Sequence, residues 1–330
     1  MHPFYLITGI LLLMLTIIDL IWTIFWVERG AGPITRHLTS VCWLAWRKIT
    51  RGRSRWFSLS GPLILSATLL SWILLLWLSW TLIFVGGEAA LTDTQNRGST
   101  DWGDQIYFVG YTMVTLGIGD FVPSSPLWQV LTILVSASGM LFITMSASYV
   151  ISVLSALNQK RSFADSITGL GPDSVSIVSK AWNGRDFTNY DLFLVTYASQ
   201  LSTVAAQHNA YPILHYYHSA NEEKALTRAV ALFDDSLTIL TFSVPEPSRP
   251  NRVLLHNARS SVRSYIESQD FSYIPQVGKA PPVPNLAILR RENIPVFSAR
   301  HTSLQFSKLE NRRKQLYRIL RSDARTWPEK

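Results

Sequence analysis

Three stretches of the chain are almost free of polar positions. Pro3 to Val27 carries a single charge, Asp19; Pro62 to Val85 carries none; Leu127 to Leu157 carries none but is richer in Ser and Ala. A helix crosses the hydrocarbon core of a bilayer with about 20 mostly apolar residues, so this pattern predicts three membrane spans. At 1.5 Å per residue the third reaches about 45 Å, which requires tilt or projection beyond the bilayer. The first reads as a span and not as a cleaved signal: it lacks a basic start, its apolar run is too long, and no small-x-small site follows. Trp102–Thr115 is apolar but too short to cross, and Asp101 stands where it can cap a helix, so it reads as a re-entrant helix. Ile34–Ile49 is amphipathic, with Trp43 and Trp46 beside Arg47 and Lys48, and predicts a helix lying flat at the membrane surface. An ordinary basic loop is the plainer alternative.

Beyond Leu157 the pattern becomes that of half-buried helices, near 172–182, 190–210, 222–242, 251–268 and 303–321. Pro172 suits a first helical position, Asn221 a cap, and residues 245–250 and 272–285 read as loops. The expected organisation is a first span with a basic loop (1–61), a central membrane domain (62–157) and a helical domain (158–330).

Composition agrees with a mixed chain. It is 48% hydrophobic and 16% charged, against roughly 25% charge in an average soluble protein. The mean hydropathy of +0.16 is low for a chain that is all membrane. A disordered protein is excluded by the apolar content. The single cysteine, Cys42, excludes an intrachain disulfide and any Cys-clustered zinc site. Residues 1–157 hold 8 basic and 7 acidic residues, residues 158–330 hold 22 and 15, so the net +8 belongs mainly to the second half.

Loop charge predicts orientation. Arg29, Arg36, Arg47, Lys48, Arg51, Arg53 and Arg55 oppose only Glu28 between the first two spans. Glu88, Asp93, Asp101 and Asp104 oppose only Arg97 between the second and third, and Lys160 and Arg161 follow the third. The expectation is a multi-pass protein of the cell membrane, the N-terminus outside and the C-terminal half cytoplasmic. Arg47, Lys48, Arg51, Arg53 and Arg55 are candidate contacts for anionic lipid.

After the short apolar segment stands Thr115-Leu116-Gly117-Ile118-Gly119-Asp120. Dehydrating a cation requires several oxygens at close range, from backbone stretched so that successive carbonyls face the ion. That conformation calls for left-handed dihedrals at alternate positions, which Gly117 and Gly119 adopt without a Cβ penalty. The Thr115 hydroxyl adds an oxygen, and the negative end of the re-entrant helix favours a cation. One such segment per chain cannot surround an ion, so several chains must share an axis, most simply a homotetramer.

Here the sequence resembles the potassium channel family, in its prokaryotic-type form with one pore loop. The resemblance covers about residues 62–157. Thr115, Gly117, Gly119 and Asp120 match the family's TVGYGD letter for letter, and Leu116 replaces Val. It implies a selectivity filter at Thr115–Asp120, with K⁺ held at Thr115, Leu116, Gly117 and Ile118. Gly139 lies 19 residues beyond Asp120, where the family often has a hinge glycine in its inner helix; it is expected as a hinge among the pore-lining and gate residues, or as a point of close packing behind the filter. Two departures matter. Ile118 stands in place of Tyr, and Tyr111 where some members carry a Glu that pairs with the filter aspartate. Both predict a less braced filter.

The expected fold class is therefore an all-α membrane protein, with three transmembrane helices, a re-entrant pore loop and an all-α cytoplasmic domain. On the third span Met140, Thr144, Ala147, Ser148, Ile151 and Ser155 share one side, as a cavity lining and gate or as a packing face of small residues. None of the spans carries regularly spaced arginines, which excludes a voltage sensor of that type. Asp19 is expected to reach water at the cytoplasmic end of its span, with pairing to a neighbouring helix or a lipid headgroup as the alternative.

The C-terminal half holds no Gly-x-Gly-x-x-Gly, Gly-x-Ser-x-Gly, phosphate loop or His-Glu-x-x-His. His208, His215 and His218 cluster, and His215, His218 and Glu222 have ligand-like spacing, but Pro212 interrupts the helix, so packing or surface roles are expected. Asp234-Asp235 reads as one solvated and one bonded carboxylate. Arg312-Arg313-Lys314 reads as a solvated helix face, with anionic lipid or another subunit as the alternative. The expected function is passive K⁺ conduction, with the C-terminal domain serving assembly and gating, no cofactor, no nucleic-acid partner and no enzymatic activity. Alternatives are a non-selective cation channel and a non-conducting membrane-anchored sensor or enzyme.

Overall fold

The computed structural model describes residues 2–26, 30–50, 54–95, 99–269, 278–323 and 325–328, without the side chains of Ser54 and Arg55. The expected roles of Glu28, Arg29, Arg51, Arg53, Arg97 and the Arg55 side chain, and residues 272–277 of the expected loop, lie outside this set. Two compact units form: Met1–Ala45 with Pro62–Val153, and Trp46–Gly61 with Leu154–Lys330.

The long apolar runs become α1 (Pro3–Phe25), α4 (Ser60–Gly86) and α6 (Pro126–Thr168), each long and apolar enough to cross a membrane; the first unit takes α1, α4 from Pro62 and α6 up to Val153. The last has 43 residues and outruns any hydrocarbon core. The amphipathic stretch forms α2 (Pro33–Thr50), followed by α3 (Ser54–Phe57), and Arg47 and Lys48 are exposed on α2. The core packs Trp72, Trp80 and Phe84 of α4 on Phe108 and Val109 of α5 (Trp102–Met113) and on Val135 and Phe142 of α6. One feature was not expected: β1 (Leu91–Asp93) pairs antiparallel with β2 (Phe121–Pro123), Thr92 opposite Val122.

Asp19 does not reach water; it is fully buried. Its Oδ1 accepts from the backbone N–H groups of Ile34 (2.8 Å) and Thr35 (3.1 Å), and its Oδ2 from the Thr35 hydroxyl (2.5 Å) and Trp72 Nε1 (2.8 Å). The carboxylate thus caps the first turn of α2 from another helix, where orphan amides and the helix dipole favour negative charge.

The second unit contains α7 (Ser174–Ala181), α8 (Asp191–Ala210), α9 (Leu226–Phe242), α10 (Arg252–Glu267), α11 (Ala287–Arg291), α12 (Ala299–Lys308) and α13 (Glu310–Ser322). Every residue of α9 from Ala229 to Leu240 is buried, so this helix is the axis of the core. Three expected boundaries move. Asp173, not Pro172, marks the start of α7, accepting from Ser176 N. Asn221 Oδ1 accepts from Glu223 N in a turn, and α9 starts only at Leu226. The stretch 303–321 is broken at Leu309, between α12 and α13.

The adjacent carboxylates also differ from expectation: neither is solvated. Asp234 takes three bonds from the Arg312 guanidinium and Asp235 two from Arg313. Arg312 and Arg313 are therefore core partners and not a solvated face, while Lys314 pairs with Glu310 along the helix. Arg313 gives two further donors to the Pro281 and Pro282 carbonyls, so four of its five N–H groups are bonded, the extra hydrogen bonding that a buried pair needs.

Candidate functional site

Asp101 caps α5 in a reciprocal box with Asp104: Asp104 N donates to Asp101 Oδ1 (3.0 Å) and Asp101 N to Asp104 Oδ2 (2.9 Å). The other end of α5 is held by Ser136 of α6, whose hydroxyl donates to Thr112 O (3.0 Å). Gly139 is buried there, and a Cβ on it would overlap the Met113 carbonyl oxygen, so α6 touches the last turn of α5 only because this residue is glycine.

Beyond α5 the backbone turns sharply. Leu116 N donates to Tyr111 O (2.8 Å), and φ is positive at every second residue: 61° at Thr115, 56° at Gly117 and 87° at Gly119. Glycine takes this region freely; a β-branched Thr there is strained, and such strain gathers at functional positions. The carbonyls of Thr115, Leu116, Gly117 and Ile118 accept no hydrogen bond from any described residue. Their neighbours do. Gly119 O and Asp120 O accept from the Thr94 hydroxyl (3.1 and 2.8 Å), and Phe121 O from the Tyr111 hydroxyl (2.9 Å). Thr115 to Gly119 are exposed in the single chain, so these four successive carbonyls are left without a partner from the chain itself, between neighbours that have one.

The expected loosening of this segment is offset by other contacts. Asp120 has no Glu beside it, yet its carboxylate accepts from Gln95 Nε2 (3.3 Å) and the Tyr107 hydroxyl (3.5 Å). Tyr111 supplies a brace of its own to Phe121. Thr94 and Gln95 directly follow β1, and the pairing of β1 with β2 brings them to Asp120. The Thr and Gln carry no recognisable signal in the sequence, because their value depends on the ribbon register.

The expected stripe on α6 is uniformly exposed: Met140, Thr144, Ala147, Ser148, Ile151 and Ser155 are uncovered within one chain, whereas Phe142, Ser146, Tyr149 and Val153 face inward. Leu116 and Ile118 are also uncovered, at 66% and 49% exposure.

The histidines separate into two roles. His208 is buried against the rings of His215 and Tyr265, and burial, then His215 and Lys160, depress its pKa well below the usual imidazole value. His218 pairs with Asp323, whose carboxyl also accepts from the Thr227 hydroxyl (2.8 Å). Glu222 instead pairs with Arg228 and Arg325, and no group of three metal-ligating side chains occurs among the described residues.

Sequence reasoning missed the turn Pro212–Tyr216 and what it grips. Lys160 Nζ, on α6, donates to Leu214 O (3.2 Å) and Tyr217 O (2.8 Å). Ser60 Oγ, at the start of α4, donates to Tyr216 O (2.6 Å), Phe57 packs edge-on against His218, and the Tyr217 ring lies where a Cβ on Gly61 would be. Ser60, Gly61 and Lys160 all belong to the second unit, so this turn gathers contacts internal to that unit.

Comparison with known proteins agrees with this geometry. Residues 69–156, which contain α5, the Thr115–Asp120 segment and most of α6, match the family model described as an ion channel. The chain is thus a membrane protein with an ion-channel domain, and the match supports the resemblance to potassium channels carried by TLGIGD. It belongs to the same family as the membrane protein YdjJ of Bacillus subtilis (strain 168), to which it is 44% identical over 328 residues, covering 99% of this chain and 96% of the relative. No solved structure matches.

Proposed function

We propose that four copies of this chain surround one axis and conduct K⁺ passively across the cell membrane, with Thr115–Asp120 as the selectivity filter. The row of unpaired carbonyls from Thr115 to Ile118, on backbone with positive φ at alternate residues, carries the reading. Around a fourfold axis each carbonyl becomes a ring of four oxygens, which replaces the hydration shell of a cation. Asp120 supplies charge at the outer mouth. Met140, Thr144, Ala147, Ser148, Ile151 and Ser155 line the cavity and inner gate, or pack against neighbouring copies, and lipid covers the remaining bare faces. The basic loop and the second unit lie on the cytoplasmic side, and Arg47 and Lys48 reach anionic headgroups there.

The C-terminal unit then serves assembly and gating. Its lever is the turn Pro212–Tyr216, since a shift of that turn moves Lys160 of α6 and Ser60 of α4 together. Reconstitution into vesicles, with flux followed in K⁺ and Na⁺ gradients beside a Gly117→Asp control, tests the conduction. Wild-type flux no greater than that of the control removes the channel reading. A non-selective cation pore is the second reading, favoured by Ile118, which has no hydroxyl with which to tie the filter wall; equal K⁺ and Na⁺ flux selects it.

A further inference from the structure

The second unit contains a cleft of about 750 Å³ between the end of α9, the start of α10 and α12, within the size range of small-molecule sites. Its charge is one-sided. Arg249, Arg252, Arg259, His256 and His301 line it, against a single acid, Glu246. Elsewhere in this unit buried or half-buried arginines have carboxylates: Arg312 with Asp234, Arg313 with Asp235, Arg228 and Arg325 with Glu222. The cleft arginines do not. Among the described residues none of Arg249, Arg252 and Arg259 forms an ion pair.

Two of the three are nevertheless held in place. Arg249 Nε donates to Val244 O (2.7 Å), which fixes the guanidinium while leaving its other nitrogens outside that bond. Arg259 donates to the Thr238 hydroxyl (3.2 Å) and lies over the Phe242 ring at 5.1 Å. Burial lowers its pKa, which the Asp234 carboxylate, itself bound by Arg312, offsets only in part and Arg312 and Arg263 lower further, so a negative group in the cleft favours the charged form. Arg252 and His256 stand exposed on α10 at the rim. The remaining wall is mixed: Thr241 and Gln305 are polar, and Leu255 and Phe297, packed on His301 at 4.8 Å, give it an apolar and aromatic part.

Preset guanidinium forks without carboxylates match phosphate oxygens, which Arg binds in pairs. An aromatic wall beside them accommodates a flat ring. We propose that this cleft binds a nucleoside polyphosphate, its phosphates on Arg249, Arg252 and Arg259 and its base on the Phe297 side. The site stands whether or not the pore conducts, because binding is read on the purified chain.

The test is calorimetric titration of the full-length protein in detergent with ATP, and separately with tripolyphosphate, at physiological salt. The expected result is saturable ATP binding at one site per chain, with tripolyphosphate bound at least about tenfold more weakly. Arg252→Glu and His256→Glu, both on the exposed side of α10, should each weaken ATP at least about tenfold. Arg185→Glu, an exposed charge outside the cleft, should leave it unchanged, and thermal melts confirm that the variants are folded. Absence of saturable ATP binding, or binding indifferent to both charge reversals, overturns the site. Tripolyphosphate binding as tight as ATP overturns the assignment of a ring-bearing ligand.

Discussion

The two units use apolar residues in opposite ways. In the second, α9 is buried on every side and the core is closed by the chain itself. In the first, α6 leaves Ile133, Met140, Leu141 and Ile151 each more than 60% exposed, and α1 leaves Phe4 and Leu11 uncovered. A water-soluble monomer does not keep such continuous apolar faces. The first unit leaves its apolar faces uncovered by the chain, as a membrane protein does, and the second covers them with its own side chains. The contrast extends to charge: the first unit buries one lone carboxylate satisfied by uncharged donors, the second buries carboxylates matched to arginines.

That contrast makes Asp235 the most damaging single position. Asp235→Leu strands the Arg313 guanidinium in the core and should cost about 3–5 kcal/mol, whereas Asp235→Leu with Arg313→Met should recover most of the loss. Thermal melts of the purified chain read both, and an unchanged melt in the single variant removes the claim that this pair organises the unit. In the first unit Asp19→Leu leaves Ile34 N, Thr35 N, the Thr35 hydroxyl and Trp72 Nε1 without their acceptor. A loss on the order of 3 kcal/mol is expected, at 1–3 for each stranded donor before relaxation. Detachment of α2 should also speed thiol labelling of Cys42, the lone cysteine on that helix; equal labelling rates would contradict the tie.

Gly139→Val probes the contact between α5 and α6. The added side chain overlaps Met113 O and should cost about 1–3 kcal/mol, with loss of vesicle K⁺ flux. Full flux in that variant shows that the contact is dispensable.

His208 gives the second unit an acid limit. Its folded pKa is depressed while the unfolded value stays near 6.5, so below pH 6.5 the unfolded chain binds a proton that the folded chain refuses. The stability it contributes is full above pH 6.5 and falls as pH drops, by up to about 1.4 kcal/mol per pH unit. His208→Leu should flatten that slope between pH 6.5 and 5, and melts at several pH values measure it. The smallest expected effect is that of Tyr111→Phe, which removes the bond to Phe121 O at about 1 kcal/mol and should lower the K⁺ over Na⁺ flux ratio without stopping flux.

Local signals were readable in advance. The apolar runs became α1, α4 and α6, Asp101 caps α5 as its position suggested, and the alternate glycines at 117 and 119 do take positive φ. The misplaced polar partners share one cause. Asp19 was expected at water, but its partners stand 15 to 53 positions away. Asp234 and Asp235 were expected to be part-solvated, but their arginines lie 78 positions on. Thr94 reached Asp120 only through a ribbon whose three-residue strands have no periodicity to detect.

The sequence by itself determined which segments are apolar enough to leave water and where the backbone can go left-handed, because these depend on residue type and short spacing. Only the tertiary structure decided which polar groups satisfy which: the acceptor for Asp19's donors, the partners of Arg312 and Arg313, the braces of Asp120 and the turn that holds both Ser60 and Lys160. A buried polar group must find its partner wherever the fold brings one, and that meeting depends on how distant helices pack.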